Sequence, residues 1–359
     1  MIKAPIIKVA INTPVDRLFD YRHPATHAGP VAPGMRVRVP FGRRTVVGVI
    51  AGTAAESDIP ADRLKAALEV LDTEPLLDAA LLEMLLWGAA YYQHAVGEVV
   101  AAALPTPLRQ GAAAEPGETV HWELTAAGRD QGVAALPGNA AAQRRLVTLL
   151  QTHDRLDAAT MRAAHPGFRA PLKALISKGW VQERRAREAL NPELPAPDMP
   201  PVLNDWQAKA IAGVPPSGFT PCLLEGVTGS GKTEVYLHLI MQQLTAGRRA
   251  LVVVPEIGLT PQLLERFARR LQQPIAVLHS GLTDTQRTAN WIAARNGEAA
   301  VIVGTRSAIF APLPGLGLII VDEEHDGSFK QQDGFRYSAR DLAVWRARQL
   351  DVPVVLGSA

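Results

Sequence analysis

Residues 223–240 read "LLEGVTGSGKTEVYLHLI". An apolar run leads into glycines, a lysine and a threonine, and a helix-forming stretch follows. Gly226-Val-Thr-Gly-Ser-Gly-Lys232-Thr233 fills the pattern G-x-x-x-x-G-K-[ST] and lies between an expected strand and an expected helix, where a phosphate cradle requires it. Gly226, Gly229 and Gly231 allow backbone angles that turn successive N–H groups inward, with Thr228 and Ser230 completing the loop. The helix start adds partial positive charge. Lys232 is expected to reach the β- and γ-phosphates, and the Thr233 hydroxyl to ligate Mg2+.

Working outward, "CLLEG", "ALVVVP", "IAVLH", "AVIVG", "GLIIVD" and "VPVVLG" are short apolar runs separated by amphipathic stretches. They predict strands of a parallel sheet covered by helices on both faces. One of them runs into acids, "GLIIVDEEHD" (317–326). Asp322 is expected to hold the metal through water, and Glu323 to polarise an attacking water. His325 and Asp326 read as relay candidates. Upstream, "VLNDWQAKAI" places Gln207 where its amide could read adenine N6 and N7, which favours ATP over GTP.

The chain of 359 residues is long enough for two or three domains, and its 47% hydrophobic and 20% charged residues suit a soluble globular protein. Net charge is only +2, but the basic residues are clustered. One run holds Lys3, Lys8, Arg17, Arg22, Arg36, Arg38, Arg43 and Arg44; another, from Arg144 to Arg187, includes Arg155, Arg162, Arg169, Lys173 and Lys178. Such clusters fit a polyanion partner or an ordinary solvated face. Cys222 is the sole cysteine, which excludes an internal disulfide and a Cys-rich zinc site, and its apolar context predicts a buried strand residue. The N-terminus lacks a secretory pattern. The most apolar segment, about 77–105, is broken by Asp78, Glu83, His94 and Glu98 and reads as buried helix. A cytoplasmic protein is expected.

The pattern divides the chain into a β-rich segment with one helical stretch (1–110), a small helical module (111–190), a Pro-rich linker (191–204) and an α/β segment (205–359). Within the second, "AAQRRLVTLL", "DAATMRAAH" and "APLKALISKGWVQERRA" predict three helices with a terminal hairpin, the outline of a winged helix.

Taken together, "VPEIGLTPQ", "LHSGLT", "GTRSAIFAPLPGLGLIIVDEEHD" and "FKQQDGFRYSARDLAVWRA" closely resemble the primosomal protein N′ (PriA) family of superfamily-2 replication-restart helicases, as do "RLFDYRHP" and "GMRVRVPFGRR" near the N-terminus. The resemblance spans nearly the whole chain. It implies a multidomain α/β protein: a β-rich 3′-DNA-binding domain, a winged helix and a P-loop RecA-like helicase lobe 1. It implies an ATP-dependent 3′-to-5′ DNA helicase of bacterial, nucleoid-associated location that recognises stalled forks and starts primosome assembly. ATP and Mg2+ are the implied cofactors. Forked and single-stranded DNA, primosome proteins, single-stranded-DNA-binding protein and the replicative helicase loader are the implied partners.

By motif match, the family's pocket for a DNA 3′ end falls on Phe19, Asp20, Gly42 and Lys65. A ring can stack a terminal base, and a carboxylate can accept from a free 3′-OH. Without the resemblance, Phe19 and Asp20 read as a core aromatic beside a turn acid. The aromatic-rich stretch after the acids offers Phe329, Lys330, Phe335, Arg336 and Tyr337 for single-stranded DNA, with Trp345 in the core, while Thr305, Arg306 and Gln262 are candidate backbone contacts. The resemblance also implies that a cysteine-rich zinc region, a second ATPase lobe and its catalytic arginine would follow Ala359. A fragment ending there is expected to bind DNA and hydrolyse little ATP, with Zn2+ confined to the further part. Two rivals remain open: an ATP-independent fork-binding scaffold for primosome proteins, and a double-strand translocase, which would not account for "RLFDYRHP".

Overall fold

The computed structural model describes residues 6–24, 27, 29–115, 118–187, 190, 194–227 and 229–359. Two compact units are present, one formed by residues 1–115 with 190–359 and the other by residues 116–189.

The first unit begins with an antiparallel sheet of β1 (Ile6–Ile11), β2 (Phe19–Arg22), β3 (Arg36–Phe41), β4 (Arg44–Ala54) and β5 (Glu69–Val70), in the order β2-β1-β4-β3-β5. Ile7, Val9, Val37, Val39 and Ile50 form one buried cluster of this sheet. Helices α1 (Ala79–Tyr91), α2 (Val96–Ala102) and α3 (Thr106–Arg109) follow. The single helical stretch expected over about 75–103 is thus two helices. Gln93 takes a left-handed φ of 52°, which stops α1 and turns the chain into α2. Gly97 lets α2 lie against β1: a side chain there would run into the Ile11 carbonyl.

Arg36 secures this region. Its guanidinium is fully buried, holds both oxygens of Asp72 at 2.8–3.2 Å and donates to the carbonyls of Leu108 (2.7 Å) and Ala112 (2.8 Å), tying β3 to α3 and to the chain just after it.

The second unit contains β6 (Glu118–Leu124), α4 (Ala126–Gln131), α5 (Ala141–Thr152), β7 (Leu156–Asp157), α6 (Ala158–Ala164), α7 (Arg169–Ser177) and β8 (Val181–Arg187). The three predicted helical runs are α5, α6 and α7, packed around Leu146, Leu150, Met161, Phe168 and Leu175. The terminal hairpin is corrected. β8 pairs antiparallel with β6, which precedes the helices, and the sheet order is β7-β6-β8. Leu124 and Val181 are paired across these strands, and both enter the cluster, so apolar burial selects a partner from the far end of the module.

The first unit resumes with α8 (Asp205–Gly213), β9 (Pro221–Glu225), α9 (Lys232–Thr245), β10 (Arg249–Val253), α10 (Pro261–Leu271), β11 (Ile275–Leu278), α11 (Asp284–Arg295), β12 (Val301–Gly304), β13 (Leu316–Val321), α12 (Ala339–Leu350) and β14 (Val354–Ser358). The six strands form a parallel sheet in the order β11-β12-β10-β13-β14-β9. β12 and β13 are buried throughout, as expected for strands covered on both faces. β9 departs from that expectation. It is an edge strand, Leu223 is 59% exposed and Cys222 is half-buried.

The N-terminal helices share a core with this sheet. Leu81, Leu85, Val99 and Leu108 cluster with Trp291, Ile302, Phe310 and Leu342. The indole of Trp291 donates to the Ala103 carbonyl at 3.0 Å, Arg295 donates to Pro75 O at 3.0 Å, and Trp87 stacks on Trp345 at 5.1 Å between ring centres. No helix among the described residues is long and apolar enough to cross a membrane.

Removing Asp72 leaves the Arg36 charge buried without its counter-ion. Asp72→Ala is expected to cost about 3–5 kcal/mol of stability in denaturant unfolding. A loss below about 1 kcal/mol would show that the pair does not hold the N-terminal sheet to α3.

Candidate nucleotide site and DNA-end pocket

The P-loop follows β9 and the acidic loop follows β13, so both lie at the carboxyl edge of the parallel sheet, with the end of β14 between them. Such an edge is the usual ligand-binding side of an open α/β sheet. The chain can pass there only with glycine at key points. Gly229 has φ +84° and Gly231 φ +90°, and a Cβ on Gly226 would sit 2.6 Å from Ser230 Oγ. A Cβ on Gly231 would collide with the Gln207 amide. Thr228 lies outside the described residues, and Thr233, the second residue of α9, is half-buried.

Lys232 starts α9. Its Nζ donates to Gly226 O at 2.7 Å and pairs with Glu323 Oε1 at 3.2 Å. The two motifs, distant in sequence, therefore meet through side chains. Glu323 holds φ +49°, a left-handed conformation that a non-glycine residue adopts at some cost and that recurs at functional sites. Asp322 accepts the Tyr236 hydroxyl on Oδ1 at 2.8 Å. Burial pushes the Asp322 carboxyl above its ordinary 3.8; the Tyr236 hydrogen bond opposes this, the Glu323 charge adds to it, and Lys232 lowers it. His325 lies 3.2 Å from Ser358 Oγ through Nδ1 and 3.9 Å from Glu323 Oε2 through Nε2. Asp326 instead caps the short turn after it, accepting from Ser328 N at 2.7 Å.

Gln207 stands beside the P-loop. Its Oε1 accepts from Asn204 N at 3.0 Å as half of a capping box, so this amide oxygen is engaged with the backbone rather than open to a base.

At the N-terminal sheet, the Phe19 ring meets Phe41 edge-on at 5.1 Å, next to Gly42, which has φ +59° and open space where a side chain would be. The Arg17 guanidinium lies over the Phe19 ring, 4.8 Å from its centroid. Asp20 is held by Lys8 Nζ at 3.3 Å and by Ser57 Oγ at 2.7 Å. Lys65 is exposed, and its carbonyl accepts from Arg22 N at 2.8 Å, which places it alongside β2. Ser57 also lines a cavity of about 580 Å³ with Arg22, His23, Ile59 and Leu64. Phe19, Asp20, Gly42 and Lys65 thus gather around β2 and the β3–β4 turn.

The aromatic-rich stretch differs from expectation. Phe329, Phe335 and Tyr337 are buried, and so is Thr305. Phe335 and Tyr337 pack on each other at 5.0 Å and on Phe310, while Phe335 also meets Tyr92 and His94. Burying these rings among others is more favourable than exposing them to water, so they offer no free stacking face in this structure. Arg336, Lys330 and Gln262 are exposed. Arg306 donates to Ser328 O at 3.1 Å, joining its loop to the stretch after the acids.

Sequence reasoning missed Tyr236, Ser57 and Lys8. The signal for Tyr236 was its place one helical turn after Lys232, on the same side of α9. Ser57, in a turn, carried none.

These features define a helicase-type P-loop lobe joined to a β-rich domain. The family description "3'DNA-binding domain (3'BD)" matches residues 8–105, and "DEAD/DEAH box helicase" matches residues 204–359. The chain is 42% identical to the replication restart protein PriA of Haemophilus influenzae over 99% of this chain and 49% of the relative. It is 31% identical to the replication restart protein PriA of Bacillus subtilis over 96% and 51%. Among solved structures, it is similar to RecG bound to a three-way DNA junction at 24% identity and TM-score 0.34, over 45% of this chain and 21% of that one. The chain belongs to the PriA family of replication restart proteins. It spans about half the length of the curated relatives it matches.

The Asp322 shift has a consequence for stability. A carboxyl whose folded pKa is raised destabilises the fold once ionised, so stability falls as pH rises from 3.8 through the raised value. Asp322→Asn is expected to melt higher than wild type at neutral pH, with the gap closing as pH is lowered toward 3.8. A gap that does not change with pH would contradict the burial of this charge.

Proposed function

We propose that this chain supplies the DNA-end-binding domain and first motor lobe of an ATP-dependent 3′-to-5′ DNA helicase that recognises abandoned replication forks and initiates replication restart. The observation that carries this reading is the meeting of Lys232 with Glu323, beside Asp322, at the carboxyl edge of the sheet. What supports a triphosphate here is the left-handed backbone at Gly229 and Gly231, followed by Lys232 at the start of α9.

Gly226, Gly229, Ser230, Gly231 and Lys232 would hold the phosphates; Thr233 and Asp322 would hold magnesium. Magnesium, when bound, offsets phosphate charge and fixes its orientation. Lys232 exchanges Glu323 for phosphate, and Glu323, released from its ion pair, is then free to take a proton from water. Gln207 reads adenine after giving up its cap bond to Asn204. Catalysis of this type also draws on an arginine against the transferring phosphate, worth roughly 10³–10⁵ in rate, so turnover by this chain alone is expected to be low.

At the other end, Asp20 would accept a hydrogen bond from a DNA 3′-OH while Phe19 stacks the terminal base and Lys65 neutralises phosphate. Arg336, Lys330 and the Arg306 loop supply contacts to single-stranded DNA, with Phe335 and Tyr337 joining only if their stretch rearranges. The second unit would add a helix-turn-helix contact through α6 and α7. Primosome proteins, single-stranded-DNA-binding protein and the replicative helicase loader are the partners the family resemblance suggests.

Binding of the chain to synthetic forks with either a 3′-OH or a 3′-phosphate at the leading-strand end tests the DNA half. The phosphate is expected to weaken binding by about tenfold, the worth of a hydrogen bond to a charged group. Equal affinities would remove the pocket at Asp20. Lys232→Ala should abolish nucleotide binding and leave fork binding unchanged; fork binding by wild type without any nucleotide binding would favour the scaffold reading.

A further inference from the structure

Tyr236 belongs to none of the motifs that mark the nucleotide site, yet it follows one on the same helix and touches another. It lies on α9, is 2% exposed, and donates its hydroxyl to Asp322 Oδ1 at 2.8 Å. Gly357, near the end of β14, closes the other side. A Cβ there would collide with the Tyr236 hydroxyl and would lie 3.1 Å from Asp322 Oδ1. The P-loop helix, the acid after β13 and the glycine of β14 therefore converge on one phenolic oxygen.

A buried tyrosine always needs an acceptor, and a backbone carbonyl would serve for packing alone. Here the acceptor is the carboxylate assigned to magnesium. A donor on one carboxylate oxygen restricts rotation of the group, which is how outer partners orient metal ligands.

We propose that Tyr236 is a positioning residue for magnesium: by holding Asp322 Oδ1, within a space that only glycine at position 357 leaves open, it fixes the carboxylate in its metal-binding orientation. This inference rests on the nucleotide reading above and assigns a residue and a cause to its metal dependence.

Affinity of the 359-residue chain for a fluorescent, non-hydrolysed ATP analogue, measured in magnesium and in EDTA, provides the test. Wild type is expected to bind more tightly with magnesium. Tyr236→Phe is expected to lose about tenfold in magnesium and to match wild type in EDTA, because the phosphate cradle is untouched. Gly357→Ala, which keeps the phenol but displaces its hydroxyl, is expected to show the same selective loss. A purely structural tyrosine would lower both affinities together or neither. If Tyr236→Phe keeps the wild-type ratio of the two affinities, the inference is overturned while the nucleotide reading stands. If wild type binds the analogue in neither condition, the nucleotide reading fails and takes this inference with it.

Discussion

The P-loop strand sits at the edge of the sheet and reaches the acidic strand only through β14. β9 pairs with β14, and β14 pairs with β13, so five residues set the distance between the phosphate loop and the acids. The register continues past the strands. Gly226 N donates to Ser358 O at 3.1 Å, and Glu324 N donates to Gly357 O at 2.7 Å, so each loop is tied to the same tip of β14. Gly357 then admits the Tyr236 hydroxyl. Position, and not only composition, makes this strand end part of the site.

Within that frame the charges are arranged as a resting state. Lys232 and Glu323 satisfy one another, Asp322 is held by a neutral donor, and Glu323 keeps a backbone conformation that costs energy. A half-buried cluster of two acids and one lysine is unfavourable to leave unpaired in a low-dielectric setting. The proposed exchange of a carboxylate for phosphate at Lys232 would therefore trade one ion pair for another. Glu324 is kept outside this exchange by Arg340, which binds it at 3.1 Å. A buried ion pair, Glu234 with Arg270 at 2.6 Å, joins the first turn of α9 to the last turn of α10.

What could be read from the sequence was local. The P-loop glycines, the apolar runs of β10 to β13 and the Asp322–Glu323 pair each carry their signal within a few residues, and the structure brings the glycine loop and the acids together at the carboxyl edge of the sheet those runs form. Features set by distant pairing were hidden. The exposure of Leu223 follows from the edge position of β9, which no alternation in "PCLLE" records. β8 takes β6 as partner, although the sequence suggested a hairpin. Phe335 and Tyr337 lie in a stretch whose rings suggested contacts to single-stranded DNA, but Phe310 and the Tyr92–His94 turn come from two other parts of the chain to cover them. Tyr236 lies outside every motif, and its acceptor, Asp322, is 86 residues away along the chain.

The shared core of α1, α2 and the parallel sheet makes the β-rich domain and the P-loop lobe one packed body, with Trp291 and Trp345 of the lobe meeting the N-terminal helical region and Arg295 the segment before α1. The proposed nucleotide site is built from the loops at the carboxyl edge of that sheet. A crystal structure of the chain with a non-hydrolysed ATP analogue and magnesium tests it most directly. The account predicts Lys232 Nζ drawn off Gly226 and Glu323 onto phosphate oxygens, with Asp322 facing the metal while still bound to Tyr236. A Lys232–Glu323 pair left intact, with the nucleotide absent or seated elsewhere, would contradict it.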